Sequence, residues 1–543
     1  MDWGHIMAVS ITDTMAYKRL IAAGNNAIWY GGTGVSASTM TKLTASDGDI
    51  DTSDQLVMFE AFQKAFVING SKLKVADFVN TKLTHTALGT AHAKGDILTQ
   101  ATTNATMIVD FTDTAKTHTY GYVTSGTFNA TNQVTGDGSG TAFTPTAVTS
   151  KPHWFDYTVY PDGSSGTMPN KAYLGCLYNG RVVLSGNPEE PNQWYMSRQF
   201  DPWDYAYLAN DAQSPIRGGN ATAGLLGDII RALVPHKDSF LIFGCASTLS
   251  ILMGDPAAGG IIRSLDETTG IFGAKSWCFD KNENFYFWGT NGIYKCKVPQ
   301  APVCITQISL PKLVSDEAAN SSTHRITMQY DHLEMGIVIC VTKLSDGTNS
   351  NYWLDLKVAE PTIDVCPIFP ESYPEECGVY SLFFYPANNN TYKKLLVGCK
   401  DGYIRKFDGA TKSDNIGGSS EAIDSYCVFG PMLLSDSPHR EGKLKPLSII
   451  TGGSADGTTE TDSDGVDYEI YTATTAAGVI DKIKAGSAPN YSGTIPAPGF
   501  RRGSKINQSA RGMFAGIKLS NDTADEGWLF ECMMANDKSA KRK

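Results

Sequence analysis

At 543 residues and 58.6 kDa the chain exceeds what one ordinary core holds, so it is either several domains or one large repeat fold. Its 53 glycines, 10% aromatic and 19% charged residues describe short strands joined by tight turns, and exclude helical bundles and coiled coils, which draw on Glu, Lys, Arg and Ala. A formal charge of −11 speaks against a protein whose task is to grip nucleic acid, because phosphate binding draws on a surplus of Lys and Arg.

Residues 1–55 hold polar turns and one helical stretch, and are expected to contribute to a platform or to blade closure. The N-terminus, MDWGHIMAVSITDTMAYKRL, has no basic stretch followed by an apolar one, and nowhere do 18 apolar residues run together, so the expectation is a soluble chain made in a cytoplasm. From Phe59 a strand pair begins, with FQKAFVINGSKLKVADF turning at Asn69-Gly70, a strong hairpin signal. Residues 81–155 interrupt it. They are rich in Thr, Gly and Ala, alternate at Met107, Val109 and Phe111 and again at Tyr120 and Tyr122, and predict a small inserted β-domain.

The strand unit then recurs. It appears as KAYLGCLYNGRVVLSGN near Lys171, as IRALVPHKDSFLIFGCASTLSILMG near Ile230, and as SWCFDKNENFYFWGTNGIYKC from Ser276. Two further copies begin near Ile326 and Leu382. Each is a set of short strands closing on a turn, and the starts fall roughly 45–60 residues apart, the period of propeller blades. Counted from Phe59, the pattern predicts a mainly β chain with a β-propeller of about six blades over 56–80 and 156–409. The blade pattern stops after Gly409. Residues 410–535 predict a C-terminal β platform, and 536–543 a basic tail.

Eleven cysteines lie between Cys176 and Cys532, most in apolar strand-like contexts such as LIFGC and GIVIC, where a thiol serves as a small hydrophobe; folding in a reducing compartment is expected. GGTGVSAST at Gly31 to Thr39 lacks the Lys of a nucleotide loop. Asp462, Asp464 and Gly465 resemble part of a calcium loop, but Tyr471 stands where a bidentate Glu is required. No catalytic residue, metal or cofactor is expected.

Two constellations stand out. Trp194, Tyr195, Phe200, Trp203 and Tyr205 crowd into twelve residues; Trp194, Tyr195 and Trp203 could stack sugars as an aromatic interaction patch or simply build a packed corner, and a sugar-active reading would add a carboxylate from Glu190, Asp201 or Asp204. The strand FRRGSKINQSARGM gathers Arg501, Arg502, Lys505 and Arg511 in a terminal stretch holding nine Lys or Arg against five Asp or Glu from Arg501 onward. It suits a subunit contact, a DNA contact or a charged edge that resists aggregation.

The order of FVINGSKLKV (Phe66 to Val75), NGRVVLSGNPEEPNQWYMSR with DPWDY (Asn179 to Tyr205), LVPHKDSFLIFGCASTLSILMGDPAAGG (Leu233 to Gly260), TGIFGAKS and FYFWGTNGIYK (Phe285 to Lys295) resembles the β-propeller tail proteins of bacteriophages, specifically the tail nozzle or tail hub of short-tailed phages. The terminal GFRRGSKINQSARG followed by MFAGIKLSN is similar to the last hairpin of that family's platform region. The resemblance covers about 56–535 and implies a structural virion protein, not an enzyme, assembled in the host cytoplasm. It implies a homohexameric ring below a tail adaptor ring, meeting tail fibre or tip and needle proteins. Such a ring retains packaged dsDNA and conducts it during ejection, and an acidic balance suits a wall past which DNA slides without sequence-specific binding. The rival expectation is a carbohydrate-binding or depolymerising receptor protein.

Overall fold

The computed structural model describes every residue except 1–4, 13–15, 32–39, 44–49, 54, 159–167, 208–210, 220–223, 408–410, 436–438, 445–446, 453–462, 496–504, 507–509 and 536–543. The chain divides into two compact units, Met1–Glu371 with Glu375–Phe407, and Ser372–Pro374 with Asp408–Lys543.

The first unit is propeller-like, a succession of antiparallel sheets whose opening strands lie side by side. The first sheet holds His5–Thr12, Ala16–Gly24, Ala27–Tyr30 and Thr41–Lys42; the second holds Val57–Ala61, Lys64–Ile68, Leu73–Asp77 and His153–Asp156. The third starts at Leu174–Tyr178, the fourth at Ile230–His236, the fifth at Trp277–Phe279, the sixth at His324–Asp331 and the seventh at Val379–Tyr385. Among the described residues all have four strands except the seventh, which has three. The six units expected from Phe59 onward each correspond to one of these sheets. The seventh member is residues 5–42, a four-stranded sheet of its own where polar turns and one helical stretch, contributing to a platform or to blade closure, were expected. Its opening strand touches those of the second and the seventh sheets.

Alternation explains why the sheets stack. Leu174, Cys176 and Tyr178 turn to the same side of the third sheet's first strand and bury against Ile230, Leu233 and Phe243 of the fourth. Ile242 and Ile251 of the fourth meet Phe285 and Phe287 of the fifth, and Tyr286 and Trp288 meet Met328 and Ile339 of the sixth. Between the seventh sheet and the first, Tyr385, Ala387 and Leu396 bury against Leu20 and Ala22, and the Tyr385 hydroxyl donates to the Lys18 carbonyl at 3.1 Å. Among the described residues no strand pairing joins these two sheets.

Two-residue turns with positive φ at both positions close two of the hairpins. Asn179 and Gly180, at φ 49° and 69°, form the two-residue turn their sequence announces. Phe62 and Gln63, at φ 50° and 59°, make the same kind of turn with bulky residues.

Residues 81–149 form a six-stranded sheet in the order Val134–Gly136, Ile97–Gln100, Thr106–Thr112, His118–Ser125, Thr81–Thr84, Ala147–Thr149. It has its own core around Leu98, Met107, Val109 and Phe143. Two features fasten it to the second and third sheets. Phe111 and Tyr120 stack at 4.4 Å and join Phe66, Phe155 and Trp203 in one apolar cluster. The buried Lys64 ammonium donates to Asp110 at 2.5 Å, and Asn80 bridges Asp110 and the fully buried Asp77. The attraction of Asp77 and Asp110 outweighs burial at Lys64 and raises its pKa.

In the second unit, Ser425–Leu433, Phe514–Asn521, Val466–Ala473 and Tyr491–Ile495 make a four-stranded sheet in that order. The helix Ala476–Lys484 lies on it through Val479 against Gly516, capped by the Thr475 hydroxyl, which accepts from the Gly478 amide at 3.0 Å. A second sheet joins Lys505–Ile506, Leu447–Thr451 and Phe530–Ala535, and Gly442–Lys443 pairs with Arg511–Gly512 as a separate ribbon. Among the described residues no helix is long and apolar enough to cross a membrane.

Candidate functional site

The basic strand is only partly described. Arg501 and Arg502 lie outside the described residues. Lys505 stands opposite Ser448 in the three-stranded sheet, and Arg511 stands opposite Lys443 in the ribbon. Arg511, Lys443 and Arg440 are all exposed. Lys443 was not legible as a partner of this strand, because pairing across 68 residues leaves no local pattern. Like charges facing each other across a strand pair repel. Glu441, also exposed, is the one carboxylate among residues 439–443. An anionic oxygen seated between the Lys443 and Arg511 heads would relieve that repulsion, so the ribbon suits a phosphate or an acidic protein surface.

The aromatic run is placed otherwise. Trp194, Tyr195 and Trp203 are buried, with Trp194 at 0% exposure. Trp194 lies beside Phe243 and donates its indole N–H to the Gly224 carbonyl at 3.2 Å. Trp203 stands among Phe66, Phe111, Phe155 and Tyr157. The Tyr195 hydroxyl donates to the Glu190 carboxylate, and burial followed by that bond pushes its pKa up to about 12. The expectation of an interaction patch on these three rings is therefore corrected: their faces are taken by the core, and a sugar has no access to them. The ring that does reach solvent is Phe200, 62% exposed and at φ 61°, over the Gly180 turn. The nearby carboxylates serve turns. Asp201 accepts from the Trp203 amide at 3.0 Å and Asp204 from the Ala206 amide at 2.8 Å. Burial, partly offset by that amide, raises the Asp204 carboxyl above its usual range.

An open cleft lies between the fifth and sixth sheets, lined by Asp280, Asn284, Tyr330, Met335 and Glu360 among others. Its Asp280 carboxylate is spent on its own turn, accepting from the Asn282 and Asn284 amides at 2.7 and 2.9 Å. Among the described residues no group of three or more His, Cys, Asp or Glu side chains is placed to hold a metal ion.

The strongest polar constellation is one the sequence did not mark. Arg181 is fully buried. Its Nε donates to Asp255 at 2.9 Å, and its terminal nitrogens donate to the carbonyls of Ser197, Gln213, Ser214 and Ala212 at 2.7–3.1 Å. It fastens the third sheet to the loop that follows it and to the fourth sheet's outer turn. At Lys275, burial and then the Arg325 guanidinium push the ammonium down to about 7.

No family model and no curated protein match the chain in sequence. Solved structures of similar course include one named as the extracellular domain of a one-component system from Bacteroides thetaiotaomicron, at 10% identity and a TM-score of 0.23, covering 75% of this chain and 51% of that one. Another is a quinonprotein alcohol dehydrogenase-like protein from Bacteroides thetaiotaomicron, at 13% identity and a TM-score of 0.23, covering 63% of this chain and 79% of that one. The chain thus spans about half the length of the first. Scores this low transfer neither activity nor partner.

Proposed function

We propose that this chain is a structural protein of a short phage tail, the nozzle or hub ring that retains packaged dsDNA and conducts it during ejection. The observation that carries the reading is the order of parts: a succession of propeller-like sheets with one β insertion after the second sheet's third strand, then a separate β unit, the arrangement implied by the sequence resemblance. We read the seven sheets as seven blades of one closed propeller, in place of the six counted from Phe59. The exposed Lys443 and Arg511 ribbon, with Lys505, supplies a contact for a neighbouring subunit or for DNA phosphates. The remaining surface follows the chain's acidic balance, under which passing DNA meets little counterion release and does not stick. The ring is a homohexamer on the tail axis, below an adaptor ring and above fibre or tip proteins, in virions assembled in the host cytoplasm. Electron microscopy of the purified protein and of virions tests this. A sixfold ring on the tail axis is the expected result, and a persistent monomer that cleaves polysaccharide would sink the reading.

A further inference from the structure

The second unit carries opposite charge at its two ends. At one end the strands Ser425–Leu433 and Val466–Ala473 finish, and two bonds hold the ribbon beside them: the Leu434 amide donates to the Met513 carbonyl at 2.9 Å, and the Met513 amide to the Ala473 carbonyl at 3.2 Å. The ribbon brings Arg440, Lys443 and Arg511 to this end, all exposed. The helix Ala476–Lys484 adds Lys482 and Lys484 in its last turn, and the Lys482 ammonium donates to the Thr472 carbonyl at 2.7 Å. Glu441 and Asp481 are the carboxylates among the described residues of these segments. At the other end the same strands begin and Phe514–Asn521 finishes. The hairpin of Asp414–Ile416 with Ser419–Glu421 is fastened there, because the Ser413 and Ser420 hydroxyls donate to Asp525 at 2.5 and 2.9 Å. Asp464 accepts from the Gly527 amide at 2.9 Å and from the Lys412 ammonium at 3.3 Å. Asp414, Glu421, Asp424, Asp464, Asp522 and Asp525 gather at this end, and Lys412 is the one Lys or Arg within 411–425, 463–466 and 521–527. The eight residues of Phe514–Asn521 at about 3.4 Å each put the ends roughly 25 Å apart, beyond the Debye length of about 10 Å at 0.1 M salt, so neither end neutralises the other within one chain. Each end also exposes apolar side chains, Leu433 at the basic one and Ile423 and Leu529 at the acidic one. Apolar contact area rimmed by charge is the make-up of a protein interface.

We propose that copies of this chain associate head to tail through the second unit, the acidic end of one copy seating on the basic end of the next. Charge complementarity selects a second copy as the occupant: the complement of the basic end is carried by the same unit, whereas DNA phosphates on the ribbon would leave the acidic end and its apolar side chains uncovered. Pairing like end with like end sets carboxylate against carboxylate, or guanidinium against ammonium, and is disfavoured at both ends. The contact is therefore heterologous, joining two different surfaces, and its repetition closes to a ring when the rotation per copy divides a full turn. The inference names the partner of the Lys443 and Arg511 ribbon and rests on the ring reading of this protein.

Sedimentation velocity of the full chain over a concentration series tests it, with two charge-reversed variants: Lys443→Glu with Arg511→Glu at the basic end, and Asp424→Lys with Asp522→Lys at the acidic end. The wild type should assemble at low salt and come apart as salt rises toward about 0.5 M, where screening shortens the reach of charge. Each variant alone should need about tenfold more protein to assemble, because attraction at the rim becomes repulsion. An equal mixture of the two variants should assemble again, since the acidic ends of the first now face the basic ends of the second; that recovery separates a lost contact from a lost fold. Rings that form in both variants as in the wild type overturn this contact and leave the ring reading standing, whereas a wild type that stays monomeric at every salt and concentration overturns both. A basic-end variant that assembles normally but no longer binds duplex DNA assigns the ribbon to phosphate and also overturns the proposal.

Discussion

Replacing Arg181 with Met keeps the aliphatic stem and removes the guanidinium. Five hydrogen bonds disappear, four to backbone carbonyls and one to Asp255. Asp255 retains the Asn179 amide nitrogen at 3.2 Å and the Ala257 N–H at 2.8 Å, and its side chain keeps a little solvent contact, so the carboxylate is weakened but not stranded. The carbonyls of Ser197 and Ser214 belong to buried residues and lose their donor. A stranded buried acceptor costs about 1–3 kcal/mol, and breaking a buried pair by removing one partner costs about 3–5 kcal/mol. These overlap, so the expected loss is about 3–5 kcal/mol. Urea unfolding followed by tryptophan fluorescence reads it well, because Trp194 and Trp203 lie in the same sheet and the corner after it. Asp255→Asn keeps the four carbonyl bonds and should cost less, about 1–3 kcal/mol. A loss under about 1 kcal/mol for Arg181→Met, or a larger loss for Asp255→Asn, would refute the assignment of Arg181 as the fastener of this corner.

Lys275 gives a pH signature. Its folded pKa is depressed to about 7 from 10.5, so between those values the unfolded chain holds more protons and stability rises with pH. Denaturation midpoints measured from pH 7 to 10 should climb in the wild type and climb less in Lys275→Met. Trp203→Ala should cost about 3–5 kcal/mol because it empties the cluster shared by the insertion and the second and third sheets, whereas Phe200→Ala should change stability by less than about 0.5 kcal/mol; equal losses in calorimetry would contradict their placement. Lys443→Glu replaces a like-charged cross-strand pair with an opposite one and should gain a few tenths of a kcal/mol at low salt. The same change should weaken retention on heparin or on DNA-cellulose, and unchanged retention would remove the ribbon from consideration as an anion contact.

Much of the first unit was legible because blades are local objects. Asn179-Gly180 marks a turn that only small or amide side chains adopt easily, and the alternation on either side shows which residues face inward. The sheet at residues 5–42 escaped notice because its turn at Asn25 and Asn26, at φ 51° and 55°, carries no glycine and joins strands of mixed pattern. Phe62-Gln63 is harder still: bulky residues hold positive φ there because the burial of Phe66 and Ile68 on the next strand outweighs the local strain. The helix Ala476–Lys484 is short, and its stability comes from resting on Gly516, a contact made across the sheet. The aromatic patch failed where tertiary placement decides. An aromatic run reads the same whether its rings face water or each other. Arg181 looks like an ordinary strand residue until five acceptors converge on it from residues up to 74 positions away.

The seam between the first and seventh sheets sets a clock. Lys18 and Tyr385 meet across 367 residues, and a ribosome adding about 5–20 residues per second takes roughly 20–70 s to deliver the second after the first. Through that interval the flank carrying Leu20 and Ala22 has no mate. The five sheets made in between can each cover one side of their predecessor as they emerge, but the first sheet's outer flank must wait for the last. Nascent chains of this protein are therefore most exposed to misassembly at their oldest part, and a chaperone that shields residues 16–30 would act where time, not stability, is scarce.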